Sequence, residues 1–283
     1  MSSKKRIIII IFLILFAMFL FIITKAFENR LNNNIEVVNN YIPFKKVKNF
    51  KKENTERYIK YYEKNKNLSY DEIVTNVNIG LDYSFYNYTK QADIKKDNLI
   101  LVNKFQKLEE NYIPNDLEEI NTNYFIHGNQ NKRLLKKEAK YFFEKLSEDS
   151  IKNNTPVYGQ SAYRSYKDQE IIYENAKKNS NNPDIDTARP GHSEHQTGLV
   201  IDVSSTKSGN MLDFEKTTSF NWMQNNAYKY GFILRYPKGK ENITGYMFES
   251  WHYRYVGLKV AKDIHDNYSN LSYDEYYYKF IEK

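Results

Sequence analysis

The N-terminal segment contains the feature that most restricts how this chain can fold. Three basic residues, Lys4–Arg6, precede an uncharged and almost wholly apolar run, Ile7–Thr24, which Lys25 closes. As an α-helix this run would rise about 27 Å, close to the roughly 30 Å thickness of a bilayer's hydrocarbon core. It is longer than the apolar part of a typical cleaved signal peptide, and Lys25–Glu28 contains no small-residue cleavage motif. We therefore predict an uncleaved, single-pass anchor with a transmembrane helix over about 7–24.

The charges beside this run predict its orientation. Basic residues next to a transmembrane helix stay on the cytoplasmic side. We expect the N-terminus to be cytoplasmic and the chain after about residue 28 to be extracellular.

The composition excludes several kinds of site and partner. Cysteine is absent from all 283 residues, which excludes a disulfide framework, a cysteine nucleophile and a thiolate metal site. The formal net charge is +7, but beyond the N-terminus lysines alternate with acidic residues. That pattern is typical of a solvated surface, and we expect no nucleic-acid partner.

Patterning divides the chain into three predicted parts. They are the anchor, 1–28; a stalk and short helical linker segment, 29–96; and a main domain, 97–283. In the linker segment, Ser69 and Glu72 form a capping-box pattern, which predicts a short helix to about Asn78 that stops at Gly80. The same five-residue sequence recurs at Leu271–Glu275, and we interpret it as a second helix start.

The main domain mixes helical and extended patterns in irregular order. Helices are predicted around Leu135, Ala139, Phe142 and Leu146, over Ser165–Lys178 and Phe214–Tyr230, and around Leu258, Ala261, Ile264 and Tyr268. Strands are predicted over Val157–Tyr163, Gly198–Ser204, Phe232–Tyr236 and Tyr246–Val256. This order predicts an α+β fold rather than a parallel α/β fold.

Two segments of this domain combine residue types that bind zinc in hydrolases. His195 and Asp202 lie on either side of Gly198, and His252 follows Glu249 by three positions. Catalytic zinc commonly takes three such ligands and leaves one position open. Each half alone has another interpretation, a hydrogen bond at a surface turn for the first pair and a salt bridge for the second. Together they predict a zinc site with a glutamate beside it that transfers protons.

The residues around these positions resemble the signature of the zinc D-alanyl-D-alanine carboxypeptidases of the vancomycin-resistance Y type. That group lies in the superfamily of lysostaphin-like enzymes and hedgehog domains. The resemblance extends over about residues 98–268, and it implies a small antiparallel sheet flanked by helices, with the zinc site on the sheet. The matching segments are Gln160–Ser165, Ser193–Asp202, Tyr230–Pro237, Glu249–His252 and Trp251–Gly257. Val200 and Ser250 depart from the pattern, where alanine and proline are frequent, and neither is a ligand position.

The resemblance implies a role for each residue at a matching position. One zinc ion per chain would be bound by His195, Asp202 and His252, and Glu249 would act as general base and acid. Arg164 corresponds to the arginine that faces the scissile carbonyl, where a fixed cation stabilises developing negative charge. The alternative for Arg164 is an ordinary salt bridge. Substrate binding is implied for three further residues: Ser193, Gln160 and Tyr163.

The reaction that the resemblance implies is zinc-dependent hydrolysis of the terminal D-Ala–D-Ala bond of peptidoglycan stem pentapeptides or their lipid-linked precursors. Two alternatives stay open. An L,D-carboxypeptidase acting on stem tetrapeptides would share all the quoted motifs, and a non-catalytic wall-binding protein would retain them as a vestigial site. We expect a monomer whose catalytic domain, 97–283, meets the cell wall outside the membrane.

Overall fold

The structure, a computed structural model, describes residues 18–26, 43–126, 133–209 and 212–282. Within these ranges, no helix combines the length and the apolar character that a membrane crossing requires. Residues 18–26 are helical, but most of the predicted anchor helix lies outside the described residues, as do residues 29–42 of the predicted stalk and His127.

The chain divides into two compact units, Met1–Val77 and Asn78–Lys283. Residues 78–96, assigned above to the linker segment, therefore belong to the second unit.

Two helices follow one another in the linker segment: α1 (Thr55–Lys64) and α2 (Tyr70–Ile79). The predicted capping box is present, because Ser69 N donates to Glu72 Oε2 at 2.8 Å and Glu72 N donates to Ser69 Oγ at 3.2 Å. The helix ends directly before Gly80, as predicted. The first unit has an apolar cluster of its own, built from Phe44, Tyr58, Ile73, Val74 and Val77.

Among the described residues of the second unit, three small sheets form the extended part. Their strands are β1 (Lys90–Gln91), β2 (Gln106–Lys107), β3 (Leu117–Glu119), β4 (Leu134–Lys136), β5 (Tyr158–Ser161), β6 (Val200–Ser204), β7 (Phe232–Leu234) and β8 (His252–Tyr255). The largest sheet has the order β5-β6-β8-β7 with antiparallel neighbours throughout. Strands β3 and β4 pair antiparallel, and β1 and β2 pair parallel. The mixed fold with a small antiparallel sheet confirms that part of the prediction.

Helices lie between these strands and after the last one. They are α3 (Lys137–Lys152), α4 (Tyr166–Asn179), α5 (Thr218–Asn226), α6 (Glu241–Thr244), α7 (Leu258–Asn267) and α8 (Tyr273–Tyr276). Helix α8 begins at a second capping box, in which Ser272 and Glu275 exchange hydrogen bonds. This agrees with the helix start predicted from the recurring sequence.

Three predicted elements differ from the structure. The helix predicted over Phe214–Tyr230 is interrupted, because 3₁₀ turns flank α5 on both sides. The strand predicted over Tyr246–Val256 is reduced to β8, because Glu249–His252 form a turn in which His252 N donates to Glu249 O at 3.3 Å. Leu135 belongs to β4 rather than to the following helix. In α3 the fully buried aromatic residue is Phe143, and Phe142 is only partly buried.

Candidate metal centre

One row of side chains crosses three strands of the main sheet and forms the base of the site. Asp202 on β6 lies directly opposite His252 on β8, and on its other side it pairs with Ser161 on β5. Directly opposite residues in an antiparallel pair have Cβ atoms only about 5 Å apart. The register of the sheet therefore brings a carboxylate and an imidazole together although fifty positions separate them in the sequence.

A short turn before β6 places His195 beside this row. Residues Glu194–Thr197 form a 3₁₀ turn that ends at Gly198, whose φ is 67°. The positive φ of Gly198 favours glycine, and a Cβ atom there would also lie 2.6 Å from Leu117 Cδ2 and displace that side chain. This turn reverses the chain between His195 and Asp202, as the spacing around Gly198 predicts.

The side chains of His195, Asp202 and His252 converge on one point. Their candidate ligand atoms all lie within 4.8 Å of one another, and all three residues are buried. His195 Nε2 is 3.3 Å from Asp202 Oδ2, and His252 Nδ1 is 3.2 Å from Asp202 Oδ1.

The donor set fits a divalent cation. Asp202 Oδ1 is buried and, in the described part of the chain, accepts no hydrogen bond of normal geometry. Burial alone would raise the pKa of Asp202, but the two histidines hold this pKa well below its usual range. The site therefore presents an ionised oxygen and two imidazole nitrogens, which is a common donor set for zinc.

A main-chain carbonyl fixes the tautomer of His195. His195 Nδ1 donates to Ala162 O at 2.6 Å, so the proton is on Nδ1 and the lone pair of Nε2 faces Asp202. Burial lowers the pKa of His195, which favours the neutral form that a metal requires.

Glu249 lies beside the three candidate ligands. Its Oε2 atom is 3.3 Å from His252 Nδ1, because the turn Glu249–His252 folds the carboxylate back towards the imidazole. Burial raises the pKa of Glu249 to about 7, an effect that Asp202 reinforces and that His252 and Arg164 oppose. A carboxyl group with a pKa near 7 can both accept and donate a proton near neutral pH.

Arg164 is held in place by two neutral partners. Its Nη1 donates to Gln169 Oε1 at 2.9 Å, and its Nη2 donates to Ser161 Oγ at 3.1 Å. Its Nε is buried and has no hydrogen-bond partner in the described residues. No ion pair to a carboxylate is found for Arg164 within these residues, which disfavours the ordinary salt bridge considered above. The guanidinium is therefore positioned but not neutralised by a contact.

A buried ionic network behind the site was not predicted from the sequence. Glu194 Oε1 accepts a hydrogen bond from Arg254 Nη1 at 2.8 Å and lies 2.9 Å from Arg235 Nε as an ion pair, and all three side chains are fully buried. Arg235 also pairs with Asp274 through Nη1 at 2.6 Å. The sequence does indicate that a buried anion is needed, because two arginines lie in strongly apolar segments. It does not show which carboxylate supplies that anion.

The candidate centre lies in a pocket of about 170 Å³. Of the four residues predicted to bind the substrate or to stabilise the oxyanion, Ser193 and Arg164 line this pocket. Gln160 and Tyr163 do not, and Tyr163 lines a second pocket instead. The pocket is also lined by residues that were not predicted as site residues: Gln169, Ile172, Asp186, Thr187, Ala188, Glu194, Tyr236, Tyr246 and Trp251.

Comparison with known proteins identifies relatives that share this domain. The family model of the D-alanyl-D-alanine carboxypeptidase VanY matches residues 132–258. A putative carboxypeptidase of Bacillus subtilis, YodJ, is 39% identical over 214 residues, which cover 72% of this chain and 78% of that protein.

Two solved structures are similar in fold and sequence. The LdcB LD-carboxypeptidase is 39% identical with a TM-score of 0.62, and the match covers 68% of this chain and 90% of that one. A mutant of the vancomycin resistance D,D-pentapeptidase VanY, in complex with Zn(II), is 27% identical with a TM-score of 0.52, and the match covers 63% of this chain and 98% of that one.

Proposed function

The chain belongs to the VanY family of D-alanyl-D-alanine carboxypeptidases, and from this premise we propose that it uses zinc to release the C-terminal D-alanine of peptidoglycan stem peptides. Membership of the family makes it a carboxypeptidase that acts on peptidoglycan peptides. The zinc requirement and the identity of the cleaved bond are the new parts of the proposal.

One observation carries the zinc requirement. His195, Asp202 and His252 place their ligand atoms within 4.8 Å of one another in a buried pocket, with Glu249 beside them. The solved VanY structure in complex with Zn(II) supports the choice of metal. The donor set of two nitrogens and one oxygen is also one that zinc accepts readily.

The residues of the chain have separable tasks in this reaction. When bound, zinc supplies Lewis-acid polarisation of the scissile carbonyl and lowers the pKa of a water molecule to about 7. Glu249 accepts the proton of the attacking water and delivers a proton to the departing amine, which its raised pKa suits. Arg164 stabilises the negative charge that develops on the carbonyl oxygen, since its guanidinium lines the pocket without a carboxylate partner.

Metal removal tests this proposal directly. The purified protein is incubated with a stem pentapeptide and a stem tetrapeptide, and released D-alanine is measured by mass spectrometry. Treatment with a chelator should stop release from every peptide that the untreated protein cleaves, and added Zn²⁺ should restore it. Unchanged release from the chelated protein, with zinc shown to be absent by metal analysis, would contradict the zinc requirement.

Two candidates exist for the cleaved bond. Hydrolysis of D-Ala–D-Ala in the pentapeptide is supported by the family match and by the similarity to the D,D-pentapeptidase VanY. Hydrolysis of the L,D bond in the tetrapeptide is supported by the LdcB LD-carboxypeptidase, which has a higher identity and TM-score. We propose that the protein releases D-alanine from at least one of these two peptides. The incubation described above distinguishes the two bonds. Release only from the tetrapeptide would exclude the D,D activity.

We also propose that the chain acts at the outer face of the cytoplasmic membrane. The apolar run Ile7–Thr24 and its basic flank support an N-terminal anchor with an extracellular catalytic domain. Fractionation of cells, followed by protease treatment of intact protoplasts, tests this placement. Protection of the catalytic domain from the protease would contradict it.

A further inference from the structure

A second pocket, of about 560 Å³, lies outside the candidate metal centre. Three tyrosines form its aromatic part: Tyr112, Tyr163 and Tyr166. The exposed side chain of Ile113 adds apolar surface, and Glu109, Glu110 and Lys167 contribute charge at its edge. We call this set of residues the tyrosine pocket.

The hydroxyl groups of the tyrosine pocket have no partner in the part of the protein that the structure describes. Among the described residues, the hydroxyls of Tyr112, Tyr163 and Tyr166 form no hydrogen bond with protein groups. By contrast, Tyr255 donates to Glu138 Oε1 at 2.8 Å and Tyr230 donates to Asp149 Oδ2 at 2.7 Å. Each tyrosine hydroxyl can both donate and accept a hydrogen bond, so the three unpaired hydroxyls are available to a polar ligand in this pocket.

The loop that carries Tyr112 is attached to the metal centre. Gln196, the residue after His195, donates from Nε2 to Glu109 O at 2.9 Å and to Tyr112 O at 3.2 Å. Gln196 is itself buried. The position of the tyrosine pocket is therefore fixed relative to a candidate zinc ligand through a single side chain.

The segment that carries Tyr163 also contributes to the metal centre. Tyr163 lines the tyrosine pocket, and the next residue, Arg164, lines the catalytic pocket. Arg164 N in turn donates to His195 O at 3.2 Å. Because consecutive Cα atoms are only about 3.8 Å apart, the two pockets border the same short segment of backbone.

We propose that the tyrosine pocket is a saccharide subsite, which binds the N-acetylated amino sugar to which the stem peptide is attached. This proposal rests on the proposed function, because the sugar is the part of a peptidoglycan substrate that lies beyond the peptide. Aromatic faces pack against the C–H groups of a pyranose ring, and the free hydroxyls and carboxylates at the edge pair with its polar groups. The combination of rings, unpaired hydroxyls and edge charges fits a sugar better than it fits an apolar side chain.

Binding of a sugar without peptide is the first test. The probe is the disaccharide of N-acetylglucosamine and N-acetylmuramic acid, and saturation-transfer NMR on the zinc-loaded full chain reports its contact with aromatic protons. We expect saturation transfer to the sugar in the wild type and its loss in Tyr112→Ala/Tyr166→Ala. The control is Tyr141→Ala, which removes an exposed tyrosine on α3, and it should bind the disaccharide as the wild type does.

Kinetics with matched substrates give the second test. The same stem peptide is offered with and without the disaccharide, and the ratio of the two kcat/KM values is compared. We expect the wild type to prefer the disaccharide-bearing peptide by about tenfold, roughly the effect of one ring contact and one hydrogen bond. Tyr112→Phe/Tyr166→Phe keeps the aromatic rings but removes the hydroxyls, so the ratio of the two kcat/KM values should fall only partly. A thermal melt of each variant shows whether it is folded.

The outcomes separate this proposal from the proposed function. Absence of saturation transfer together with an equal rate on both substrates would overturn the saccharide subsite. A preference that follows the length of the peptide and not the sugar would also overturn it, by assigning the pocket to the stem. If neither substrate releases D-alanine, the proposed function fails, and the NMR measurement still decides whether the pocket binds the disaccharide.

Discussion

His252 Nε2 and Glu194 Oε2 lie 4.0 Å apart, and both atoms are buried and without a hydrogen-bond partner among the described residues. The other nitrogen of His252 faces Asp202 and Glu249, so Nε2 is the one that carries the proton when Nδ1 binds a metal. Glu194 is thus a carboxylate aimed at the back of a candidate ligand. Such carboxylates orient the imidazole and increase its basicity.

Replacing Glu194 should weaken zinc binding. In Glu194→Gln the imidazole loses its anionic neighbour, and we expect zinc affinity to fall about 10- to 100-fold, the range found for such partners. Competition with a chromophoric chelator measures the affinity. Because Arg235 and Arg254 also lose their shared anion, the unfolding temperature of the zinc-free variant is measured alongside, and Glu194→Asp serves if the first variant does not fold. A folded variant with wild-type zinc affinity would contradict this role.

Replacing Glu249 should stop the reaction without removing the metal. Glu249→Gln keeps the size of the side chain but cannot accept a proton, so we expect kcat to fall about 10²- to 10⁴-fold. Zinc content should be unchanged, because Glu249 is not one of the three converging ligands. Glu241→Gln, an exposed glutamate on α6, is the control and should keep wild-type kcat. Loss of zinc from Glu249→Gln would show that the glutamate is a ligand instead.

Replacing Arg164 should affect the chemical step more than substrate binding. Arg164→Ala removes the cation from the pocket, and we expect kcat to fall about 10²- to 10³-fold, as for other groups that stabilise an oxyanion. Arg164→Lys keeps the charge but cannot reach both Ser161 and Gln169, so its kcat should be intermediate. Arg133→Lys, which alters an arginine paired with Glu119, is the control. A change in KM alone would mean that Arg164 only binds the substrate.

His192 should make the zinc-free protein less stable in mild acid. It donates from Nδ1 to Asn103 O at 2.7 Å, and burial lowers its pKa from 6.5 to about 4. Below pH 6.5 the unfolded chain therefore binds a proton at this position that the folded chain does not bind. The free energy of unfolding should fall as the pH decreases from about 6.5 to about 4, with a loss of about 1 kcal/mol between pH 7 and 5.5.

Urea unfolding at several pH values measures this effect. Because other groups titrate as well, the comparison is between the wild type and His192→Asn, which removes the imidazole and should show a smaller loss. His265→Asn, which changes an exposed histidine, should follow the wild type. If the free energy of unfolding falls equally with decreasing pH in the wild type and in His192→Asn, His192 is not the source of the acid destabilisation.

Local features of this fold were accessible from the sequence because their interactions span only a few residues. Both capping boxes were predicted, since Ser69 and Glu72, like Ser272 and Glu275, are three positions apart. The turn at Gly198 was predicted for the same reason. His195, Asp202 and His252 were singled out because their residue types and the spacing within each segment are unusual, and the fold brings them together.

Long-range pairings were not accessible in this way. Glu194 and Arg254 are separated by 60 positions, and only the register of β6 and β8 shows that their segments meet. Tyr163 and Arg164 are adjacent in the sequence, and only the fold shows that they line different pockets.

The placement of the ligands on a sheet with its own apolar core separates metal loading from folding. Asp202 and His252 stand on strands whose neighbours Val203 and Tyr253 are fully buried, so the architecture does not depend on the ion as that of a zinc finger does. An emptied protein should therefore remain folded and accept a replacement ion. Exchange for Co²⁺ would give a coloured enzyme, in which visible absorption reports the coordination of the site during turnover.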